Sequence, residues 1–137
     1  MYKQLDMLLS SETTIDSWYD DGSVIAGEIL AEFNLNDWDE LTKNVYAKPL
    51  DWQKKLAYCL DNECNMHELN ILLILLTVPD KELSVICVDT LRSFTTHDSK
   101  TLIVENPLVI KRVNELIPTS GPVVQKILED FLVKMKN

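Results

Sequence analysis

Apolar residues in this chain recur at intervals of three and four, and no alternation of apolar and polar positions lasts more than a few residues. A period near 3.6 marks helices that bury one face, whereas strands need a period of two, so the chain is predicted to be all-α. Residues that break helices are scarce. There are three Gly and five Pro, the latter falling singly at Pro49, Pro79, Pro107, Pro118 and Pro122, where a helix can begin or end.

Between those breaks the helix starts are well marked. Residues 2–9 predict a short helix followed by a polar link. Gly22 and Ser23 open a second, with Val24, Ile25, Ile29, Leu30 and Phe33 as its apolar stripe and Glu28 and Glu32 off it. A third begins near Asn36 or Asp37, carries Trp38, Leu41 and Val45 at helical spacing, and ends before Pro49. Residues 51–60 then place Trp52, Leu56, Cys59 and Leu60 on one face. Asn65 caps an almost continuously apolar helix running to Val78, and Asp80 caps the next, through Phe94. Asn106 with Pro107 starts another, and Ser120 with Pro122 starts the last, which ends on Lys134 and Lys136. Short connections set sequential helices side by side and antiparallel.

Helix pairs of this kind form either an antiparallel helical bundle or a short α-solenoid. The helix over residues 80–94 resembles the inner helix of a HEAT-type repeat, with an Asp cap, Val85, a small Cys87 or Val88, and then Leu91; residues 67–78 are its matching outer helix. Residues 50–135 then make about two repeats at roughly the 40-residue period of such units. They follow an acidic helical segment over residues 1–40 within a single domain, residues 1–137. A chain of 137 residues, 46% apolar, can bury a sufficient core without disulfides or metals. Cys59, Cys64 and Cys87 are odd in number and follow no framework spacing, which fits reduced thiols in a cytosol. The opening residues do not combine a basic start, an apolar stretch and a small-residue cleavage site, and the longest apolar run, residues 71–76, is too short for a span. A cytoplasmic location without membrane attachment is therefore expected.

Charge is segregated. Residues 1–40 hold ten acidic side chains against Lys3 alone, whereas the remaining residues hold twelve of each sign, so the net charge of −9 resides entirely in the first forty. An evenly spread excess serves solubility. A concentrated one repels nucleic acid, whose binding depends on Lys and Arg displacing counterions, and attracts a basic protein.

No catalytic constellation emerges. Gly22, Gly27 and Gly121 are too scattered for a phosphate-binding loop. His67 and His97 have no Ser or Cys beside them in a nucleophile-bearing turn. Cys59, Cys64 and His67 would supply three zinc ligands with no fourth nearby, and Cys59 and Cys87 fall on apolar helix faces, where cysteine packs as a small hydrophobe. The acidic pairs Asp20 with Asp21 and Asp37 with Asp39 lie in polar turn or cap contexts, unlike the partly dry cleft that acid–base work requires. The run from Asp16 through Asp20 and Asp21 to Gly22 lacks the alternating ligands and closing Glu of a calcium loop. No enzyme activity, cofactor, metal or small-molecule ligand is expected.

The stretch Trp-Gln-Lys-Lys-Leu-Ala-Tyr-Cys-Leu-Asp-Asn-Glu-Cys-Asn from Trp52, then His-Glu-Leu-Asn-Ile-Leu-Leu-Ile-Leu-Leu from His67 and Val-Asp-Thr-Leu-Arg-Ser-Phe from Val88, resembles small all-helical immunity proteins of bacterial polymorphic toxin and contact-dependent growth inhibition systems. That resemblance implies a cytosolic antidote that binds one cognate toxin domain and blocks it, such toxins often being basic nucleases. It transfers no catalytic residue. On charge, the contact is expected at Asp16, Asp20, Asp21, Glu28, Glu32, Asp37, Asp39 and Glu40, with Trp18 and Tyr19 as aromatic anchors inside a charged rim. The alternative is a HEAT-like adaptor that binds a peptide or another regulator through its concave face.

Overall fold

A computed structural model of the chain describes residues 1–12 and 17–136, and among these it contains nine α-helices and no strand. They are α1 (Tyr2–Ser10), α2 (Ser23–Ala31), α3 (Leu35–Asn44), α4 (Leu50–Cys59), α5 (Met66–Leu75), α6 (Lys81–Leu91), α7 (His97–Glu105), α8 (Pro107–Leu116) and α9 (Pro122–Lys136). A π-helical turn, Trp18–Gly22, leads into α2, and 3-10 turns at Val45–Ala47 and Ile117–Thr119 follow α3 and α8. The protein is all-α.

Local chemistry explains most of the boundaries. The side chains of Asn65, Asp80 and Asn106 accept hydrogen bonds from the backbone N–H groups of Glu68, Leu83 and Leu108, satisfying donors that the first helical turn leaves open. The start of α3 differs from the expected Asn36 or Asp37. Asn34 is the cap, its Oδ1 accepting from Asp37 N at 2.9 Å, while Asp37 Oδ2 accepts from Asn34 N at 3.0 Å, a reciprocal capping box. Helix α7 lies where the apolar periodicity marks none. It starts from Thr96 and buries only Ser99 and Ile103, too few apolar positions to set up a readable stripe.

The stripe expected on α2 is also revised. Its buried face is Ala26, Gly27 and Leu30, whereas Val24 and Ile25 are exposed and Ile29 and Phe33 half-buried. Close approach to the end of α4 selects this face. Asn62 Nδ2 donates to the Gly27 carbonyl at 3.0 Å, and a β-carbon on Gly27 would lie 2.8 Å from Asn62 Oδ1. Small residues let the helix lie near that turn where bulky ones would hold it off.

The central helices run in parallel register. Lys54 pairs with Glu82, the Ala57 carbonyl accepts from Thr90 Oγ1, and Asp61 accepts from Ser93 Oγ, so positions on α4 and α6 climb together. Lys81 donates to Thr119 and Arg92 pairs with Asp130, which relates α6 to the α9 segment in the same sense. Helices α4, α6 and α9 thus form a row of parallel helices, with α5 between the first two in sequence and α7 with α8 between the last two, an arrangement common to helical bundles and short α-solenoids. The row starts at residues 50, 81 and 122, so the repeating units are unequal and the second accommodates the additional α7.

One cluster of buried side chains runs from Tyr2 to Met135 and includes the fully buried Phe94 and Phe131. The acidic segment is fastened to α4 and to Lys48 just before it by polar contacts. Asp6 Oδ1 accepts from Lys48 Nζ at 2.9 Å and from Trp52 Nε1 at 3.0 Å, and Lys55 Nζ donates to the Ser11 carbonyl at 2.9 Å. Among the described residues no helix is long and apolar enough to cross a membrane.

Candidate interaction surface

The turn Trp18–Gly22 divides its aromatic pair between core and solvent. Trp18 is 2% exposed, its ring lying against Gly22 with Lys55 Nζ 5.6 Å from the ring centroid. It is a core residue and does not stand on the surface as the anchor expected from its acidic neighbours. Tyr19, 43% exposed, points outward and meets Tyr58 of α4 with ring centroids 4.5 Å apart.

The acidic residues separate in the same way. Asp20 and Asp21 in the turn, Glu28 and Glu32 at α2, and Asp39 and Glu40 on α3 are exposed. Asp37 is not. It is 8% exposed and accepts from Tyr2 N at 3.1 Å as well as from Asn34 N, with the terminal ammonium 3.5 Å away. The Asn34 N–H, together with those other donors, holds its carboxyl below the usual aspartate range. Asp37 is therefore a structural clasp between α1 and α3, a role masked in sequence because its partner Tyr2 lies in another helix. Asp16 lies outside the described residues.

Two grooves flank the Tyr19–Tyr58 ridge. One, of about 460 Å³, lies between the end of α1, Tyr19, and the Trp52, Lys54, Glu82 and Ile86 side of α4 and α6. The other, of about 630 Å³, is bounded by Val24, Tyr58, Asp61, Asp89, Arg92 and Lys134. Both grooves carry basic side chains, most of them held in ion pairs. Lys54 is 3.0 Å from Glu82, Arg92 pairs with Asp89 and with Asp130, Lys134 lies 3.3 Å from Asp130, and Asp61 accepts from Ser93. By contrast, among the described residues Asp20, Asp21, Glu28, Glu32 and Glu40 form no ion pair, and only Asp39 of the exposed predicted set does, with Lys43 at 2.9 Å. The excess negative charge of this end is thus only partly offset, by Lys48 at Asp6, Lys43 at Asp39 and the terminal ammonium at Asp37.

Of the groups considered for metal or nucleophile chemistry, Cys59 and Cys87 are buried, Cys64 is half-buried, and His67 and His97 are exposed. Cys59 donates to the Lys55 carbonyl at 3.3 Å, and burial pushes its thiol up to about 12. His67 stacks on Trp38 with centroids 5.2 Å apart. Among the described residues no group of three or more His, Cys, Asp or Glu is placed to hold a metal ion. Glu68, 1% exposed, accepts from the N–H groups of Asn62, Glu63 and Asn65 and so braces the turn between α4 and α5.

Features that sequence reasoning missed are the exposure of Val24 and Ile25 and the part played by Tyr58. Gly27 was the available signal, since a glycine inside a helix often marks a close approach and hence the inward face. The chain matches no protein-family model, no curated protein and no solved structure.

Proposed function

We propose that this chain is a binding protein for a basic protein domain and, following its resemblance to helical immunity proteins, a cytoplasmic antidote that covers the active site of one cognate toxin domain, of the basic nuclease class. The observation that carries this reading is the set of exposed carboxylates Asp20, Asp21, Glu28, Glu32 and Glu40, which form no ion pair among the described residues. A nuclease must attract phosphates and so bears a positive groove, and a rigid array of carboxylates can occupy it in place of the substrate. Association is then fast and salt-sensitive, while tightness depends on a few buried contacts.

Growth rescue on co-expression with the toxin domain of a directly preceding reading frame tests the reading. Rescue, together with a slower on-rate at low salt for Asp20→Lys/Asp21→Lys, supports it. An on-rate unchanged by that double reversal removes the acidic turn from the contact. The second reading, a HEAT-like adaptor, draws on the grooves along the α4–α6 seam. It predicts binding of an extended peptide that Tyr58→Ala weakens and the double reversal leaves alone.

A further inference from the structure

The carboxylates just described share a helix face with two residues that a soluble helix would ordinarily turn inward. At 100° per residue, Ile25, Glu28 and the capping Glu32 follow one another at spacings of three and four and so fall on one outward stripe, with Val24 at its edge and the exposed Asp21 in the turn that leads into the helix. Val24 is 58% and Ile25 47% exposed, although Ala26, Gly27 and Leu30 of the same helix are buried. No Lys or Arg occurs between Lys3 and Lys43. Ile25 thus shares its stripe with acids of its own segment, while Val24 turns toward the groove that Arg92 and Lys134 also line. The exposed valines of α9, Val123 and Val133, share their helix with Lys126, Lys134 and Lys136.

Resting on the binding role proposed above, we infer that the outward face of α2 is the docking surface itself, with Val24 and Ile25 as its apolar centre and Asp21, Glu28 and Glu32 as its rim, and that its partner presents an apolar depression flanked by Lys or Arg. The arrangement is that of an interface hot spot, an apolar centre from which water is excluded inside a polar border. Charge selects the occupant. A second copy of this chain, meeting the face about a two-fold axis, would set Asp21, Glu28 and Glu32 against the same three carboxylates, whereas a basic surface satisfies them. Branched aliphatics suit the centre because they lose little rotamer freedom on burial compared with long flexible side chains.

The experiment uses two synthetic helical peptides of equal positive charge as probes, one with a leucine stripe flanked by lysines and one with glutamines in place of the leucines. Binding to the full chain is measured by calorimetry at low and at physiological salt. The wild type is expected to prefer the leucine peptide by about ten-fold or more. Val24→Ser/Ile25→Ser should abolish that preference while retaining the salt-sensitive binding of the glutamine peptide, and Val123→Ser/Val133→Ser should change neither. Circular dichroism melts establish that both variants are folded. Preference that survives Val24→Ser/Ile25→Ser, or that is lost with Val123→Ser/Val133→Ser, overturns the inference while leaving the acidic-surface reading intact. Equal binding of both peptides by the wild type does the same. Failure of both peptides to bind at low salt overturns the two together, and concentration-dependent dimerisation abolished by Val24→Ser/Ile25→Ser assigns the face to a second copy instead.

Discussion

Gly22 lies beneath the indole of Trp18, so closely that a β-carbon there would meet Cε3 and stand 2.9 Å from Cζ3. The contact keeps Trp18 in the core while Tyr19, the next residue, faces solvent. Gly22→Ala should therefore destabilise the chain by about 1–3 kcal/mol, even though alanine is the better helix former, because the ring has no room to give. Gly121→Ala, where a β-carbon meets nothing within 4 Å, should be close to neutral. Urea melts of the two variants make the comparison, and equal midpoints would dismiss the role given to the glycine.

Glu68 concentrates three backbone donors on one buried carboxylate. Glu68→Ala leaves those N–H groups without their acceptor and removes half of a capping box, an expected loss of about 2–3 kcal/mol. Glu68→Gln retains one carbonyl oxygen and should fall between the two. Hydrogen exchange at Asn62, Glu63 and Asn65 should accelerate in the alanine variant before the protection of α6 changes.

Stability should decline in acid through Asp6 and Asp37. Lys48 beside Asp6, and the Asn34 N–H on Asp37, hold both carboxyls below the ordinary aspartate value of 3.8. A carboxyl depressed in the fold stabilises it above its unfolded pKa, and that contribution disappears as pH falls through the folded value. Glu68 has the opposite sign. Burial pushes it above its ordinary 4.5, so its contribution is complete below that value and is lost as pH rises through its folded pKa. The urea midpoint of the wild type should drop below pH 3.8, and Asp37→Asn should flatten that drop. An unaltered acid limb in Asp37→Asn would count against the clasp.

Thiol reactivity should be graded by burial. Cys87 is fully buried with its thiol pushed well above the ordinary range, and Cys59 is pushed up to about 12, whereas Cys64 is only half-buried. Because the thiolate is the reactive species, an aromatic disulfide reagent at mild alkaline pH should modify Cys64 first and reach Cys59 and Cys87 at a rate set by unfolding. Mass spectrometry of the partly labelled protein identifies the site, and early labelling of Cys87 would contradict the packing described.

What the sequence determined by itself was local. Asn65, Asp80 and Asn106 cap helices because an acceptor reaches an N–H two or three residues away, and that relation is written into adjacent positions. The all-α class and the concentration of negative charge in the first forty residues were legible for the same reason. Only the tertiary structure decided which face of α2 turns inward, because that depends on how near Gly27 comes to Asn62, 35 positions along the chain. It likewise withdrew Trp18 and Asp37 from the surface; Lys55 of α4 reaches over the Trp18 ring and Tyr2 of α1 donates to Asp37. Residue type and spacing record which side chains are acidic, but which remain in water depends on contacts made by distant parts of the chain.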